Sequence, residues 1–533
     1  MRLPYKIIIY SFIVIALITG CNKDYLDRPS LSTISADNFY KTKEDLRLAT
    51  AALYGGRLWG DWTYTSYLPV GEVLSGNMIL GYWGDAVQLN TFSITSQNGI
   101  TSANWNGMYN IVAQCNTTIK AINDYAPSSI ATTDKNAATA EARFLRGFAY
   151  YNLAILWGDV PIIEDNTKLI ASPLIYRNKT EDVYRFAVND LRFAVKNLPS
   201  SDVAGRLTTW SAQGMLAKVY LTWAGYHPEG NGGSRDQALL DSAKLYAGNV
   251  CKNSGRKLIP NYADLFKVQN NDNEESLFAL QWAAGNGWLD GNMLQIYSSG
   301  GNAISASGND AGWFAFAATY DLYKQYTKKD SIRRKATIML KGDHYPELNR
   351  AGGGFTYTGD SGLKKHIVGT RVDNNAPTMN NTSSPEHNAL LRLADVYLIY
   401  VEAILGNNTS TSDVDAVKYF NAVQTRAGLD PLATITADTL RWQRRIELAC
   451  EGHHWEDLIR LSYSDPTKAA GILNTQIPNR VTLKYDNNSG VGTKGDGYGA
   501  ITPANSGTFK FPIPSADVTA NPKLSEEPIP YSF

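Results

Sequence analysis

Apolar residues recur at helical spacing along most of the chain. In the stretch EARFLRGFAYYNLAILWGDVP (141–161), Phe144, Phe148 and Ile155 share one helical face. Gly158 follows this apolar pattern, and a glycine in that position favours the end of a helix. The spacing therefore predicts a long amphipathic helix that ends close to Gly158.

Five further segments have the same period, and the six segments form three consecutive pairs. The pairs are 141–161 with 180–198, 211–226 with 236–252, and 390–405 with 413–428. Thr180 is expected to cap the second helix of the first pair. Each pair predicts a helical hairpin, and the hairpins resemble degenerate tetratricopeptide units.

Long segments between the pairs lack this period. Residues 284–310, 342–388 and 476–510 are rich in Gly, Asn, Ser and Thr. Loops of this length inside a compact protein are usually functional or disordered. The predicted fold is therefore mainly α: a tetratricopeptide-like helical-hairpin scaffold with long irregular loops and a few short β-strands.

The chain begins with a targeting segment. Two basic residues precede a mainly apolar run at 7–18, which is shorter than the roughly 20 residues that cross a bilayer. The run ends in ITGC (18–21), which has the spacing of a bacterial lipobox. Residues 1–20 are therefore predicted to be a signal peptide, and Cys21 to be lipidated. Residues 21–35 are then expected to form a lipid-anchored tether.

The charge and the cysteine content argue against a nucleic-acid-binding function and against a fold held by disulfides. The chain has 50 basic and 50 acidic residues and no basic face, so we expect no nucleic-acid partner. Beyond Cys21 an odd number of cysteines remains, which cannot form a complete disulfide framework. Cys115, Cys251 and Cys450 lie in helical patterns, and we expect them to pack as small apolar residues.

Four motifs in a fixed order resemble one protein family. They are AEARFLRGFAYYNLAILWGDVPII (140–163), LLRLADVYLIYVEA (390–403), RRIELACEGHHWEDLIRL (444–461) and FPIPSADVTANPKL (511–524). With the lipobox and the YLDRPS that follows it, these motifs span essentially the whole chain. The sequence resembles the RagB/SusD nutrient-uptake lipoproteins of the Bacteroidetes outer membrane.

This resemblance implies an N-terminal SusD-like helical region at 36–270 and a C-terminal RagB/SusD region at 271–533 that carries ligand-binding loops. It implies a lipoprotein that is anchored in the outer membrane, faces the cell exterior and is not an enzyme. Such a protein captures an oligosaccharide, or in some cases a peptide, and passes it to a SusC-like TonB-dependent transporter. The resemblance names no glycan, because the family's binding residues lie in variable loops.

Charged residues in the motifs could suggest catalysis or metal binding. Glu447 and Glu451 are four residues apart and are followed by His453 and His454. Nearby basic residues are Arg444, Arg445 and Arg460. We interpret this group as helix-pairing contacts in which the arginines neutralise the carboxylates. The same interpretation applies to Arg392, Asp395 and Glu402, and to Arg143 and Arg146 near Glu141.

Cofactor motifs are not evident in the sequence. The segments NNDNEE (270–275) and DNNSG (486–490) contain oxygen ligands but lack the spacing of a calcium loop. No cofactor is therefore predicted, and a bound calcium ion stays an alternative.

Aromatic residues cluster in segments without a clear period, such as GGRLWGDWTYTSY (55–67). A flat ring can cover the apolar face of a pyranose while Asn and Asp bind its hydroxyl groups. The leading candidates for such contacts are Trp83, Trp288 and Trp62, followed by Tyr82, Trp59 and Trp313. Candidates for the hydroxyl contacts are Asp85, Asp290, Asn77 and Asn286. The alternative for each ring is burial beneath its own loop.

Two other functions stay open at this point. A surface glycoside hydrolase would need two carboxylates about 5–9.5 Å apart in a cleft. A helical-repeat adaptor would bind protein on its concave face and have no glycan site. The glycan-binding interpretation depends on exposed rings in the loops.

Overall fold

The protein is described here by a computed structural model that covers residues 38–80, 83–230, 232–285, 291–298, 316–380 and 382–533. Within these residues, eighteen α-helices confirm the mainly helical prediction. The helices are α1 Lys43–Ala51, α2 Arg57–Trp62, α3 Gly84–Thr91, α4 Gly99–Tyr125, α5 Thr132–Trp157, α6 Lys168–Ala171, α7 Thr180–Asn197, α8 Thr209–Trp223, α9 Gln237–Asn253, α10 Leu294–Ser298, α11 Tyr320–Gln325, α12 Ser331–Thr337, α13 Leu393–Leu405, α14 Val414–Arg426, α15 Ala437–Glu447, α16 His454–Ser464, α17 Pro466–Gln476 and α18 Ser515–Ala520.

The strands are short and form two-stranded antiparallel ribbons. They are β1 Met78–Ile79, β2 Ser276–Leu280, β3 Ala317–Ala318, β4 Ile338–Leu340, β5 His344–Tyr345, β6 Phe355–Thr356, β7 Ser361–Leu363, β8 Asn388–Arg392, β9 Ser410–Thr411, β10 Ile435–Thr436, β11 Leu483–Asp486 and β12 Val491–Lys494. The pairs are β1 with β3, β2 with β8, β4 with β7, β5 with β6, β9 with β10, and β11 with β12. The sheets therefore connect loops and helices and do not form a layer of their own.

The three predicted hairpins are confirmed, because α5 packs on α7, α8 on α9, and α13 on α14. The pairs also contact one another, since α7 packs on α8 and α9 on α13. The predicted end of the first helix is correct: α5 ends at Trp157, and Gly158 follows with φ of 75°. The result is a continuous series of packed helices, as in tetratricopeptide arrays.

Two local predictions were wrong. Lys179 is the N-cap residue of α7, and the Thr180 hydroxyl instead donates to the Asp159 carboxylate at 2.7 Å. The helix expected from residue 390 begins at Leu393, because residues up to Arg392 pair with β2 as strand β8. The pairing partner lies more than a hundred residues away, so local periodicity carried no signal of it.

The aromatic stretch at 55–67 lacks a helical period for a structural reason. After α2, the chain continues as two π-helical turns, Thr63–Tyr67 and Pro69–Val73. Their hydrogen bonds join residues five apart, as between the amide of Leu74 and the carbonyl of Pro69 at 3.1 Å. A π turn is wider than an α turn, so its buried residues do not follow the α-helical spacing.

The three cysteines are free, with Cys115 and Cys450 buried and Cys251 half-buried. Burial raises the pKa of the Cys115 thiol, which keeps it protonated. These cysteines therefore pack as small apolar groups, as predicted. None of the helices in the described ranges combines the length and apolar character needed to cross a membrane.

Candidate functional site

The β1–β3 ribbon brings two candidate loop segments to one place. Ile79 in β1 lies opposite Ala317 in β3, and the strands are antiparallel. The chain that leaves β1 and the chain that enters β3 therefore meet at the same end of the ribbon. Leu80 and Phe316, the adjoining residues, are both buried there.

A third segment joins this end of the ribbon through α10. The amide of Phe316 donates to the carbonyl of Tyr297 at 3.1 Å, next to the C-terminus of α10. At the other end of this short helix, Asn292 forms a β-bridge with Ser384. The amide of Gly285 donates to the Ser383 hydroxyl at 2.6 Å. We use the name loop rim for Leu80, Trp83, Gly285, Asn292, Tyr297 and Phe316.

Stacked aromatic rings connect the loop rim to the π-helical segment. The ring of Tyr297 lies 5.9 Å from that of Tyr64 at an interplanar angle of 19°. The ring of Tyr297 also stacks on that of Phe316, at 5.3 Å and 29°. Offset stacking of this kind stabilises a rigid base. Sequence reasoning missed Tyr64 and Tyr297, although Tyr64 belongs to the aromatic stretch that it had singled out.

Trp83 lies on the loop rim and is half-buried. It is the N-cap residue of α3, and its carbonyl accepts hydrogen bonds from the amides of Ala86 and Val87. The indole contributes no capping bond, so the side chain is not needed to begin the helix. The side chain packs against the main core and is partly exposed.

Asp85 follows Trp83 by two residues and is also half-buried. Its backbone carbonyl accepts a hydrogen bond from the Asn98 side-chain amide at 2.9 Å. The Asn98 oxygen accepts bonds from the amides of Ile100 and Thr101, both at 3.1 Å, and so caps α4. Asn98 therefore fixes the start of α3 to the start of α4. Sequence reasoning did not single it out, although an Asn before a helix is a known capping signal.

Trp59 and Trp62 are corrections to the predicted site. Trp59 is fully buried, and its indole N–H donates to the carbonyl of Leu53 at 2.8 Å. Trp62 is 3% exposed, with its ring 5.6 Å from that of Trp59 and 5.0 Å from that of Tyr67. Both rings therefore pack in the core, and neither presents a face to a ligand.

Asn77 is also a correction. It is fully buried, donates to the Glu72 carboxylate at 2.8 Å and accepts from Arg445 Nε at 2.8 Å. Both ends of its amide are therefore used inside the protein, and it cannot contact a sugar hydroxyl. The remaining candidates, Cys21, Tyr82, Asn286, Trp288, Asp290 and Trp313, lie outside the described residues.

The charged residues of the motifs form a buried ion-pair cluster, as their structural interpretation predicted. Arg392 Nη1 lies 2.7 Å from Glu447 Oε1, and Arg392 Nε lies 2.7 Å from Glu451 Oε2. Lys365 Nζ lies 2.8 Å from Glu451 Oε1. Arg426 also pairs with Glu447. We use the name charge cluster for Arg333, Arg392, Arg426, Lys365, Asp330, Glu275, Glu447 and Glu451.

The partners differ from those expected from the sequence. Arg444, adjacent in sequence, does not neutralise Glu447 but pairs with Asp395 at 2.8 Å and Asp457 at 2.9 Å. Four further ion pairs have partners on other helices or loops: Arg445 with Asp321, Arg460 with Glu402, Arg143 with Asp190, and Arg146 with Asp190. Glu141 pairs with Arg206 at 2.7 Å. The motif charges thus join helices and loops that are distant along the chain.

The electrostatics of Glu447 and Glu451 do not suit acid–base catalysis. Burial opposes ionisation of Glu447, but Arg426, Arg392 and Arg333 together lower its pKa to about 2. Burial likewise opposes ionisation of Glu451, and Arg392 and Lys365 lower its pKa to about 2. A general acid needs a pKa near the working pH, so neither carboxyl can protonate a leaving group.

In the two segments that were considered for calcium, 270–275 and 486–490, aspartate oxygens accept hydrogen bonds from other groups of the protein. Asp272 accepts from Gln281 Nε2 at 2.9 Å and lies 2.9 Å from His387 Nδ1. Asp486 accepts from the amide of Asn488 and the hydroxyl of Ser489. Across the described ranges, no three His, Cys, Asp or Glu side chains converge as a metal site.

Comparison with known proteins identifies the family. A model of the SusD family matches residues 262–529, and a model described as starch-binding and associating with the outer membrane matches residues 25–221. A SusD-like protein of Bacteroides ovatus is 36% identical over 535 residues, which are 97% of this chain and 96% of that protein. SusD-like protein P2 of Formosa agariphila is 27% identical over 489 residues, which are 86% of this chain and 90% of that protein.

Solved structures agree with these sequence matches. A crystal structure with xylogluco-oligosaccharide is 36% identical, has a TM-score of 0.83, and the match covers 92% of this chain and 99% of that one. Surface glycan-binding protein A of Bacteroides thetaiotaomicron, in complex with laminarihexaose, shares the fold at 21% identity with a TM-score of 0.68, over 90% and 97% of the two chains. The resemblance found in the four motifs is thereby confirmed, and the chain belongs to the SusD (RagB/SusD) family.

Proposed function

We propose that this protein is a cell-surface, glycan-binding lipoprotein that captures oligosaccharides and is not an enzyme. The observation that carries the proposal is the half-buried Trp83 on the loop rim, beside the half-buried Asp85. A ring held in this way can cover the apolar face of a pyranose, while a carboxylate nearby accepts from its hydroxyl groups. The solved structure with xylogluco-oligosaccharide, at 36% identity, supports the same class of ligand.

The remaining loop candidates belong to this proposal. Trp288 with Asp290 and Asn286 belongs to the segment that begins after Gly285, and Trp313 to the segment that ends before Phe316. Both of these flanking residues are on the loop rim, as is Trp83, and Tyr82 precedes Trp83 directly. We propose that these residues bind successive sugars of one oligosaccharide. We also propose that residues 36–270 form an N-terminal helical region and residues 271–533 a C-terminal region that carries ligand-binding loops.

The same family membership supports a proposal about the partner and the location. We propose that Cys21 is lipidated, that the protein is anchored to the outer membrane with its body facing the exterior, and that it delivers glycan to a SusC-like TonB-dependent transporter. The family model for residues 25–221, described as associating with the outer membrane, supports this location. The balanced charge of the chain supports neutral glycans over nucleic acid as the ligand.

Affinity electrophoresis against a panel of polysaccharides tests the function. Retardation by a xyloglucan-type glycan, with no new reducing ends after long incubation, is the expected result. New reducing ends would favour the glycoside hydrolase. Retention of a co-expressed transporter barrel without retardation by any glycan would favour the protein-binding adaptor.

A further inference from the structure

Exposed apolar side chains are concentrated on two adjoining segments of the chain. The first segment, 168–178, comprises α6 and the chain that follows it, and the second is 521–533. Eleven large apolar side chains are exposed in the described residues, and four of them lie on these segments: Ile170, Leu174, Ile529 and Phe533. Ile170 is 85% exposed. We use the name apolar face for these four residues.

Hydrogen bonds hold the two segments side by side. The Asn521 side-chain amide donates to the carbonyl of Ile175 at 2.8 Å. Further along, Ile529 forms a parallel β-bridge with Asn178. The backbone that carries the apolar face is therefore fixed by pairing, although its side chains are exposed. Single exposed apolar side chains are ordinary, whereas a cluster of them marks an interaction site.

The charges around the apolar face balance. Residues 169–176 contain no charged residue. The segments 164–179 and 521–533 together contain four basic and four acidic residues: Lys168, Arg177, Lys179 and Lys523, and Glu164, Asp165, Glu526 and Glu527. A patch that binds an anionic lipid surface is rich in basic residues, so this balanced rim favours a protein partner. An apolar centre with a polar rim is typical of protein–protein interfaces.

Helix α4 relates the apolar face to the start of the described chain. Asn166, two residues before α6, donates to the carbonyl of Ala113 in α4 at 2.8 Å. Lys41 donates to the carbonyl of Tyr125, the last residue of α4, at 3.3 Å. At 1.5 Å per residue, these two contacts are about 18 Å apart along α4. The other end of α4, which Asn98 fixes to the start of α3, is about 40 Å from Tyr125.

We propose that the apolar face docks on the SusC-like transporter barrel. This inference rests on the proposed function, which supplies both the partner and the lipid anchor at Cys21. Cys21 precedes Asn38, the first described residue, by 17 residues, and a chain of 17 residues spans at most about 60 Å.

The anchored chain therefore enters the body at the Tyr125 end of α4, where the apolar face is within reach of a protein embedded in the membrane. The surface that fits this face is an uncharged, apolar part of the barrel's exterior, which would bury Ile170 and Leu174. The loop rim lies towards the other end of α4 and stays open to glycan.

Co-purification from detergent tests the inference. The full chain is co-expressed with an affinity-tagged SusC-like barrel, and the amount of the chain that the barrel retains is measured. The double variant Ile170→Asp with Leu174→Asp places two charges where the interface would bury them, so retention should fall at least tenfold. The control Leu245→Asp with Val414→Asp adds the same charges at exposed positions on α9 and α14, and it should be retained as wild type is.

Stability and glycan binding separate a lost interface from a lost fold. The thermal midpoint of Ile170→Asp with Leu174→Asp, and its retardation by glycan, should equal those of wild type, because both side chains are exposed. Equal retention of the two double variants would overturn the inference and leave the transporter partnership intact. Wild type that binds glycan but is not retained by the barrel would overturn the partnership and the inference with it.

Two other occupants of the apolar face would give different results. A second copy of this chain would give a dimer in sedimentation velocity without the barrel, and Ile170→Asp with Leu174→Asp would dissociate it. A lipid surface would make the Cys21→Ser chain float with vesicles of phosphatidylethanolamine and phosphatidylglycerol, and the same double variant would abolish the flotation. Either result would overturn the inference.

Discussion

Replacement of Arg392 by methionine tests whether the motif charges hold the fold together. Arg392 is 2% exposed and forms four hydrogen bonds of 2.7–2.9 Å with Glu447 and Glu451. In the charge cluster, four cations face four carboxylates, so the cluster is neutral. Without Arg392, three cations face four carboxylates in the interior. Breaking a buried ion pair on one side costs about 3–5 kcal/mol of unfolding free energy.

Urea unfolding at neutral pH measures this loss. The double variant Arg392→Met with Glu451→Gln restores three cations against three carboxylates. The double variant should therefore lose less unfolding free energy than the two single variants lose together, by about 0.5–3 kcal/mol. Arg185→Met is the matched control, because Arg185 is 46% exposed and pairs with Glu181 at the surface. Such an exposed pair contributes about 0–1 kcal/mol.

The pH dependence of the Arg392→Met variant gives a second readout. One of the uncompensated carboxylates should have a raised pKa in the folded variant. Protonation of this carboxyl at lower pH removes the excess charge, so the deficit relative to wild type should shrink from pH 7.5 to pH 5. An Arg392→Met variant within 1 kcal/mol of wild type, or additive effects in the double variant, would refute the assignment of these residues to the fold.

Three further changes have defined outcomes. In wild type, the pKa values of Glu447 and Glu451 are lowered from 4.5 to about 2. The stability that these ionised carboxylates contribute is therefore complete above pH 4.5 and is lost as the pH falls towards 2. An unfolding free energy that stays constant between pH 4.5 and pH 2.5 would contradict this. Asn98→Ala removes the α4 cap and the bond to the Asp85 carbonyl, and should cost about 1–2 kcal/mol in urea unfolding, whereas Asn98→Asp should keep most of the cap. Gly71→Ala should destabilise the protein, because a Cβ there would lie 2.4 Å from the backbone oxygen of Gly452. Gly84→Ala should not, because a Cβ there would meet nothing within 4 Å. Thermal unfolding compares the two variants, and equal midpoints would refute the close contact at Gly71.

The sequence predicted the scaffold better than it predicted individual contacts. Helices α5, α7, α8 and α9 bury one face against neighbours close in the chain, so their period shows in the sequence. The partners of Glu447 are 21, 55 and 114 residues away, at Arg426, Arg392 and Arg333. No local pattern could identify them, although the need of a buried carboxylate for a cation was predictable.

The exposure of the candidate aromatic rings could not be predicted from local sequence either. Trp62 and Trp83 both lie in glycine-containing stretches near an aspartate, so their exposure could not be ranked from the sequence. Trp62, the last residue of α2, packs its ring against those of Trp59 and Tyr67 in the core, whereas Trp83, the N-cap residue of α3, is only half-buried. Exposure of a ring depends on tertiary packing, which residue type and neighbours do not determine.

Calorimetric titration with a xylogluco-oligosaccharide tests the central claim most directly, by comparing wild type, Trp83→Ala and Trp210→Ala. Trp210 is a half-buried tryptophan at the start of α8 and serves as the matched control. An aromatic contact contributes about 0.5–1.5 kcal/mol beyond the area it buries, so Trp83→Ala should weaken binding roughly tenfold or more. Trp210→Ala should bind as wild type does. Equal affinity of wild type and Trp83→Ala for a glycan that binds would contradict the account.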